Sequence, residues 1–176
     1  MKETGIIRRI DELGRVVIPK EIRKTLRIAE GDPLEIFTEH DELLLRKYSP
    51  LGAIQNYTKC VIDSLYDNTQ MSVLICDTDK IIGQKGSLSR EFDGKLICDG
   101  LLSSLKSRKT IICDNQNGQK VPITDLDSQN YKYQLIMPII SQGDLYGGLI
   151  LISIDREVDS KVIALASFCI DFLARV

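Results

Sequence analysis

The spacing of apolar positions along this chain changes near residue 50. Before that point, short runs such as "TGIIRRID", "RVVI", "PLEIFTE" and "ELLLRKY" read as extended segments separated by polar breaks. One short helix is expected between the second and third. Pro19 opens it at the first helical position, Ile22 and Leu26 form its buried stripe, and Gly31 stops it. Gly14, beside Arg15, reads as the tight turn between the first two strands.

Beyond "KYSPLG" the pattern becomes helical. Ser49 is a good N-cap and Pro50 a good first helical residue. Leu51, Ile54, Thr58, Val61 and Leu65 then recur at alternating spacings of three and four, on a helix ending near residues 67–68. "SVLICDTDKIIGQKG" reads as two strands around the turn Asp77-Thr78-Asp79. Cys98, Leu101, Leu102 and Leu105 mark an amphipathic helix, and "KTIICD" with "QKVPIT" a hairpin around Asn117-Gly118. "YKYQLIMPII" and "GGLILISID" are strands around "SQGDLYG", and a terminal helix runs from about Val158.

That last helix has two apolar seams, one through Val158, Val162, Leu165, Cys169 and Phe172, the other through Ile163, Ala166, Ile170 and Leu173. A helix lying on a sheet needs one stripe. The second is expected to be covered by the first helix of its own domain together with a partner subunit, giving a helical bundle. The expected oligomer interface is therefore Leu51, Ile54, Val61, Leu65, Val162, Leu165, Cys169 and Phe172. The pattern predicts an α+β chain of two domains, residues 1–50 and 51–176. The second is an antiparallel sheet flanked by helices.

Charge sharpens the division. The net charge is only -2. Yet residues 1–29 carry eight basic side chains against four acidic, and residues 30–45 carry six acidic and none basic. A near-neutral domain split this way presents one positive face. Arg8, Arg9, Arg15, Arg23 and Lys24 are the candidate DNA contacts, with Lys2, Lys20 and Arg27 as outlying cations. Their role would be to neutralise phosphates and, through arginine forks, to reach base edges. Fifty residues with four short strands bury too little surface to stand alone. Two chains interleaving their hairpins into one barrel would supply the missing core and remove the open strand edges.

Other chemistry finds little support. Five scattered cysteines, Cys60, Cys76, Cys98, Cys113 and Cys169, form no C-x-x-C pair and read as buried free thiols. The single histidine, His40, lies in a hairpin turn and leaves no zinc ligand set or general base beside a nucleophile. There is no phosphate-binding glycine loop. The expectation is a non-enzyme with neither cofactor nor metal. The N-terminus "MKETGIIRR" has no apolar signal core and no run spans a bilayer, so the chain is placed in the cytoplasm, on the nucleoid, away from membrane.

"TGIIRRIDELGRVVIPKEIRKTLRIAEGDPLEIF" resembles the AbrB-type transition-state regulators. The resemblance implies a domain-swapped β-barrel dimer bound to double-stranded DNA through arginines that match Arg8, Arg15 and Arg23, with Lys24 where a second arginine is common. Lysine keeps the charge there but loses the bidentate fork. "MPIISQGDLYGGLILIS" resembles the GAF domains, a sensor fold, although their cyclic-nucleotide motif is absent. The resemblance concerns the fold and leaves two roles open, sensing a small-molecule effector of unknown identity or only joining subunits. An AbrB-type head joined to a GAF-like body is similar to regulators of late sporulation genes. That implies activation or repression in the forespore by a homotetramer. An alternative is an AbrB-like antitoxin whose C-terminal part serves only partner binding or oligomerisation.

Overall fold

The computed structural model describes residues 5–114 and 118–176, which divide into two compact units, Met1–Tyr48 and Ser49–Val176. Lys2, Thr4 and Asn117, which figure in the expectations above, lie outside the described residues.

Among the described residues of the first unit the one helix is α1, Lys20–Thr25, followed by the antiparallel hairpin of β1, Leu34–Glu39, and β2, Glu42–Lys47. Pro19 is the N-cap of α1 rather than its first helical residue. The helix ends at Leu26 because Arg27 turns left-handed (φ 50°), well ahead of Gly31. His40 takes the same conformation (φ 51°) in the β1–β2 turn. Residues 5–19 form no strand ladder. The segments expected to pair there have no strand partner within one chain, and their side chains stay open. Ile7, Ile10, Leu13 and Val17 are 72–86% exposed, and Leu26, expected in a buried stripe, is 53% exposed.

The second unit is a five-stranded antiparallel sheet in the order β4-β3-β7-β6-β5. Its strands are β3 (Ser72–Cys76), β4 (Ile81–Lys85), β5 (Ile111–Cys113), β6 (Tyr133–Ser141) and β7 (Asp144–Ser153). Period-two alternation sends side chains to two cores. Val73, Ile75, Leu135, Met137, Leu149 and Leu151 meet one helical layer. That layer is α2 (Pro50–Ala53), α3 (Gln55–Thr69) and α5 (Ser160–Leu173). Leu74, Cys76, Ile136, Ile150 and Ile152 meet α4 (Asp99–Lys106) together with Phe92, Ile97, Ile123 and Tyr131. Ser49 caps α2 by accepting from the Gly52 N–H, and Asp159 caps α5 through the Val162 N–H.

Three expectations about the second unit need correction. The expected single helix after Ser49 is broken at Ile54 (φ -106°, ψ 38°) into α2 and α3. Among the described residues "QKVPIT" makes no hairpin with β5, which pairs with β6. Side chains hold that segment instead. The Gln134 amide donates to Val121 O (2.8 Å) and accepts from Val121 N–H (2.9 Å), while the Cys98 and Cys113 thiols donate to Pro122 O and Gln119 O. Finally, only Cys76, Cys98 and Cys113 are buried; Cys60 is exposed and Cys169 half-buried.

Candidate nucleic-acid interface

The basic surface of the first unit is built on three short pieces. Arg8 and Arg9 lie on the extended segment and are exposed. Arg15 follows a tight turn in which Gly14 (φ 76°) donates its N–H to Asp11 O. Lys20, Arg23 and Lys24 stand at i, i+3 and i+4 on one face of α1, all exposed, opposite the half-buried Ile22. Arg27, half-buried, belongs to the loop after the helix.

Two anchors fix these pieces. Lys47, at the end of β2, pairs with Asp32 at 2.9 Å and donates to Arg27 O at 3.1 Å. Asp32 in turn accepts from the Ala29 N–H. The exit of α1 is thus tied to the hairpin. The second anchor is Asp11. Its Oδ1 accepts from the N–H groups of Leu13 and Arg15, and its Oδ2 from Arg15 Nε at 2.8 Å. The Arg15 backbone N–H and then its guanidinium hold the Asp11 carboxyl below the usual carboxylate range.

Asp11 is missing from the sequence-based site, where it counted only as one acid diluting the positive face. The signal was present in "DELG": an Asp three residues before a turn glycine is placed to accept from the backbone of its own turn.

The expected oligomer interface divides in two. Leu51, Val61, Leu65 and Val162 are 0–8% exposed and belong to the unit's own core, because the sheet side of α2, α3 and α5 uses them. Ile54, Leu165 and Cys169 are half-buried at the rim of that core, and Phe172 is exposed. Phe168 (73% exposed) and Tyr57 (49%) join Phe172 on the outer surface and were not in the expected set.

Among the described residues no group of His, Cys, Asp and Glu is placed to hold a metal ion, and no helix is long and apolar enough to cross a membrane.

Comparison with known proteins places this arrangement. The family model described as "Stage V sporulation protein T C-terminal, transcription factor" matches residues 53–176. A second, "Antidote-toxin recognition MazE, bacterial antitoxin", matches residues 7–52. Stage V sporulation protein T of Bacillus subtilis (strain 168) is 44% identical over 99% of this chain and 98% of its own length. The transition state regulatory protein AbrB of the same organism is 42% identical over 56% of this chain and 88% of its own. The GAF domain of Thermosynechococcus elongatus PixJ superposes with a TM-score of 0.55 over 73% of this chain and 89% of that one. At 15% identity, that likeness concerns the fold alone.

A basic AbrB-like head on a GAF-like body defines a DNA-binding transcription regulator, not an enzyme. The chain belongs to the stage V sporulation protein T family.

Proposed function

We propose that residues 1–50 bind duplex DNA as a pair, two copies completing one swapped barrel whose basic surface carries Arg8, Arg9, Arg15, Arg23 and Lys24 from each chain. The observation that carries this reading is the coincidence of two exposures on one segment. The stretch holding Arg8, Arg9 and Arg15 also leaves Ile7, Ile10, Leu13 and Val17 open. An apolar set of this kind on a small unit calls for a covering partner. A second copy supplies strands of matching length and doubles the arginines. Arg15 and Arg23 bring forks for bases or phosphates, whereas Lys24 acts as a point charge.

Residues 51–176 then serve assembly through the outer surface of α3 and α5, taking the dimer to a tetramer, and the regulator acts on late sporulation genes in the forespore cytoplasm. Mass spectrometry of small molecules released from the denatured protein tests whether this body also carries an effector.

Arg15→Ala and Arg23→Ala test the head. Each should weaken, by roughly ten-fold or more, binding to a duplex selected by the full chain from a random library, with the assembly mass unchanged in ultracentrifugation. Unfolding of either variant would make these side chains structural and remove them from the interface. The antitoxin alternative predicts a second protein recovered in equal amount on purification; a chain recovered alone and active on DNA excludes it.

A further inference from the structure

Asp11 is an acid on the positive face, where it weakens phosphate attraction. Its carboxylate nevertheless makes three contacts, to Leu13 N–H, Arg15 N–H and Arg15 Nε, at 3.0, 2.8 and 2.8 Å. An exposed ion pair four residues apart adds little stability, so the pairing calls for another use. The geometry on the arginine side supplies one. Oδ2 engages the Nε edge of the guanidinium, and among the described residues no hydrogen bond occupies its two terminal nitrogens. The side chain is 70% exposed, so those two donors face solvent. A long, flexible side chain is held at its inner nitrogen while its outer fork stays open. That fork is the group that binds guanine or phosphate through two parallel hydrogen bonds.

We infer that Asp11 is a positioning residue for DNA readout: it fixes the Arg15 guanidinium on the Gly14 turn so that the terminal fork is presented to the duplex, at the expense of general attraction to phosphate. The inference rests on the reading of Arg15 as a DNA contact. It goes beyond that reading by assigning an acidic side chain to discrimination between sequences. Preorganising the fork lowers the ordering entropy lost on binding. The negative charge acts in the opposite direction on every sequence alike. Specific and non-specific affinity must therefore respond with opposite signs to loss of the charge.

The test uses the full-length protein, the selected duplex and poly(dI·dC), at several salt concentrations. Asp11→Asn keeps an acceptor for the turn N–H groups and removes the charge. It should weaken binding to the selected duplex by roughly ten-fold or more, the scale of one lost bidentate contact, while binding to poly(dI·dC) tightens. In an Arg15→Ala background the same change should cost no further specific affinity. Equal tightening on both DNAs would reduce Asp11 to a bulk charge and overturn the inference. An equal specific loss with and without Arg15 would also overturn it, because Asp11 would then act through the turn. If Asp11→Asn does not fold, Asp11→Ser replaces it, since its hydroxyl still accepts from the turn but stops short of the guanidinium. Unfolding of both makes Asp11 structural and ends the proposal. Unchanged specific binding in Arg15→Ala alone would remove Arg15 from the interface, a failure of the underlying reading that is visible without touching Asp11.

Discussion

Tyr57 on α3 and Phe172 on α5 meet edge to face, with ring centroids 5.9 Å apart and planes inclined at 70°. The pair brings the start of α3 against the end of α5, and Phe168, one turn before Phe172, is 73% exposed. Aromatic pairs of this geometry add to the area they bury, yet here both rings remain partly open. Phe172→Asp and Phe168→Asp should each lower the assembly mass in sedimentation equilibrium while the far-ultraviolet circular dichroism of the body stays unchanged. The full assembly mass in both variants would place the subunit contact elsewhere.

Salt provides a separate check on the head. A paired head making about six to ten phosphate contacts should lose some three to five orders of magnitude in affinity between 50 and 200 mM salt. Lys24→Ala should flatten the slope of log affinity against log salt without changing sequence preference, as befits a point charge. A slope indifferent to Lys24 would take that residue off the phosphate track.

The Gln134 amide is fully buried and answers both polar groups of Val121. Replacing it with leucine orphans the Val121 N–H and leaves Val121 O only the long contact from the Tyr131 hydroxyl (3.5 Å), at a cost of roughly 1–3 kcal/mol. Hydrogen exchange in residues 119–124 should accelerate far more than exchange in β7. Uniform protection across both would show that the segment is held by other contacts.

Gly147 packs against the edge of β3 so closely that a Cβ there would drive into the Cys76 carbonyl oxygen. That contact is backbone and has little room to yield. Gly147→Ala should therefore destabilise the body by about 3 kcal/mol or more, read as a lowered melting temperature. A small change would mean that β3 and β7 can separate locally without loss of the core.

Cys76 itself gives a pH signature. Burial first, and then the neighbouring Asp77 charge, push its thiol up to about 12. The folded state keeps the proton at pH values where the unfolded thiol, near 8.5, has lost it. The resulting stability is complete below about pH 8 and disappears as pH rises toward 12, with the fall confined to that alkaline window. Native protein at pH 8 should alkylate readily at exposed Cys60 and not at Cys76. Labelling of Cys76 at the same rate would place it in an opening segment.

The sequence made the body more legible than the head for a physical reason. In the body both faces of the sheet find their covering helices within one chain, so β3, β6 and β7 carry the alternation that strand reading depends on. In residues 5–19 the alternation is present but the partner strands are not. "QKVPIT" misled because its apolar residues do face a core, whereas its backbone is answered by Gln134, Cys98 and Cys113 from distant positions. The three-and-four spacing of Leu51, Val61 and Leu65 marked helical chain but neither its break at Ile54 nor its orientation; the sheet claims those residues, and the outward surface falls to Tyr57, Phe168 and Phe172. On the basic face, charge segregation picked out the cations that the structure leaves exposed. Asp11 was passed over despite the turn signal in "DELG", because as a charge it runs against its surroundings and only its geometry gives it a part.

The open row of Ile7, Ile10, Leu13 and Val17 has a consequence for gene dosage. If residues 1–50 work only as the proposed pair, the concentration of working units grows with the square of chain concentration while copies are scarce. Modest changes in synthesis would then be read at promoters as a threshold, with no inducer required.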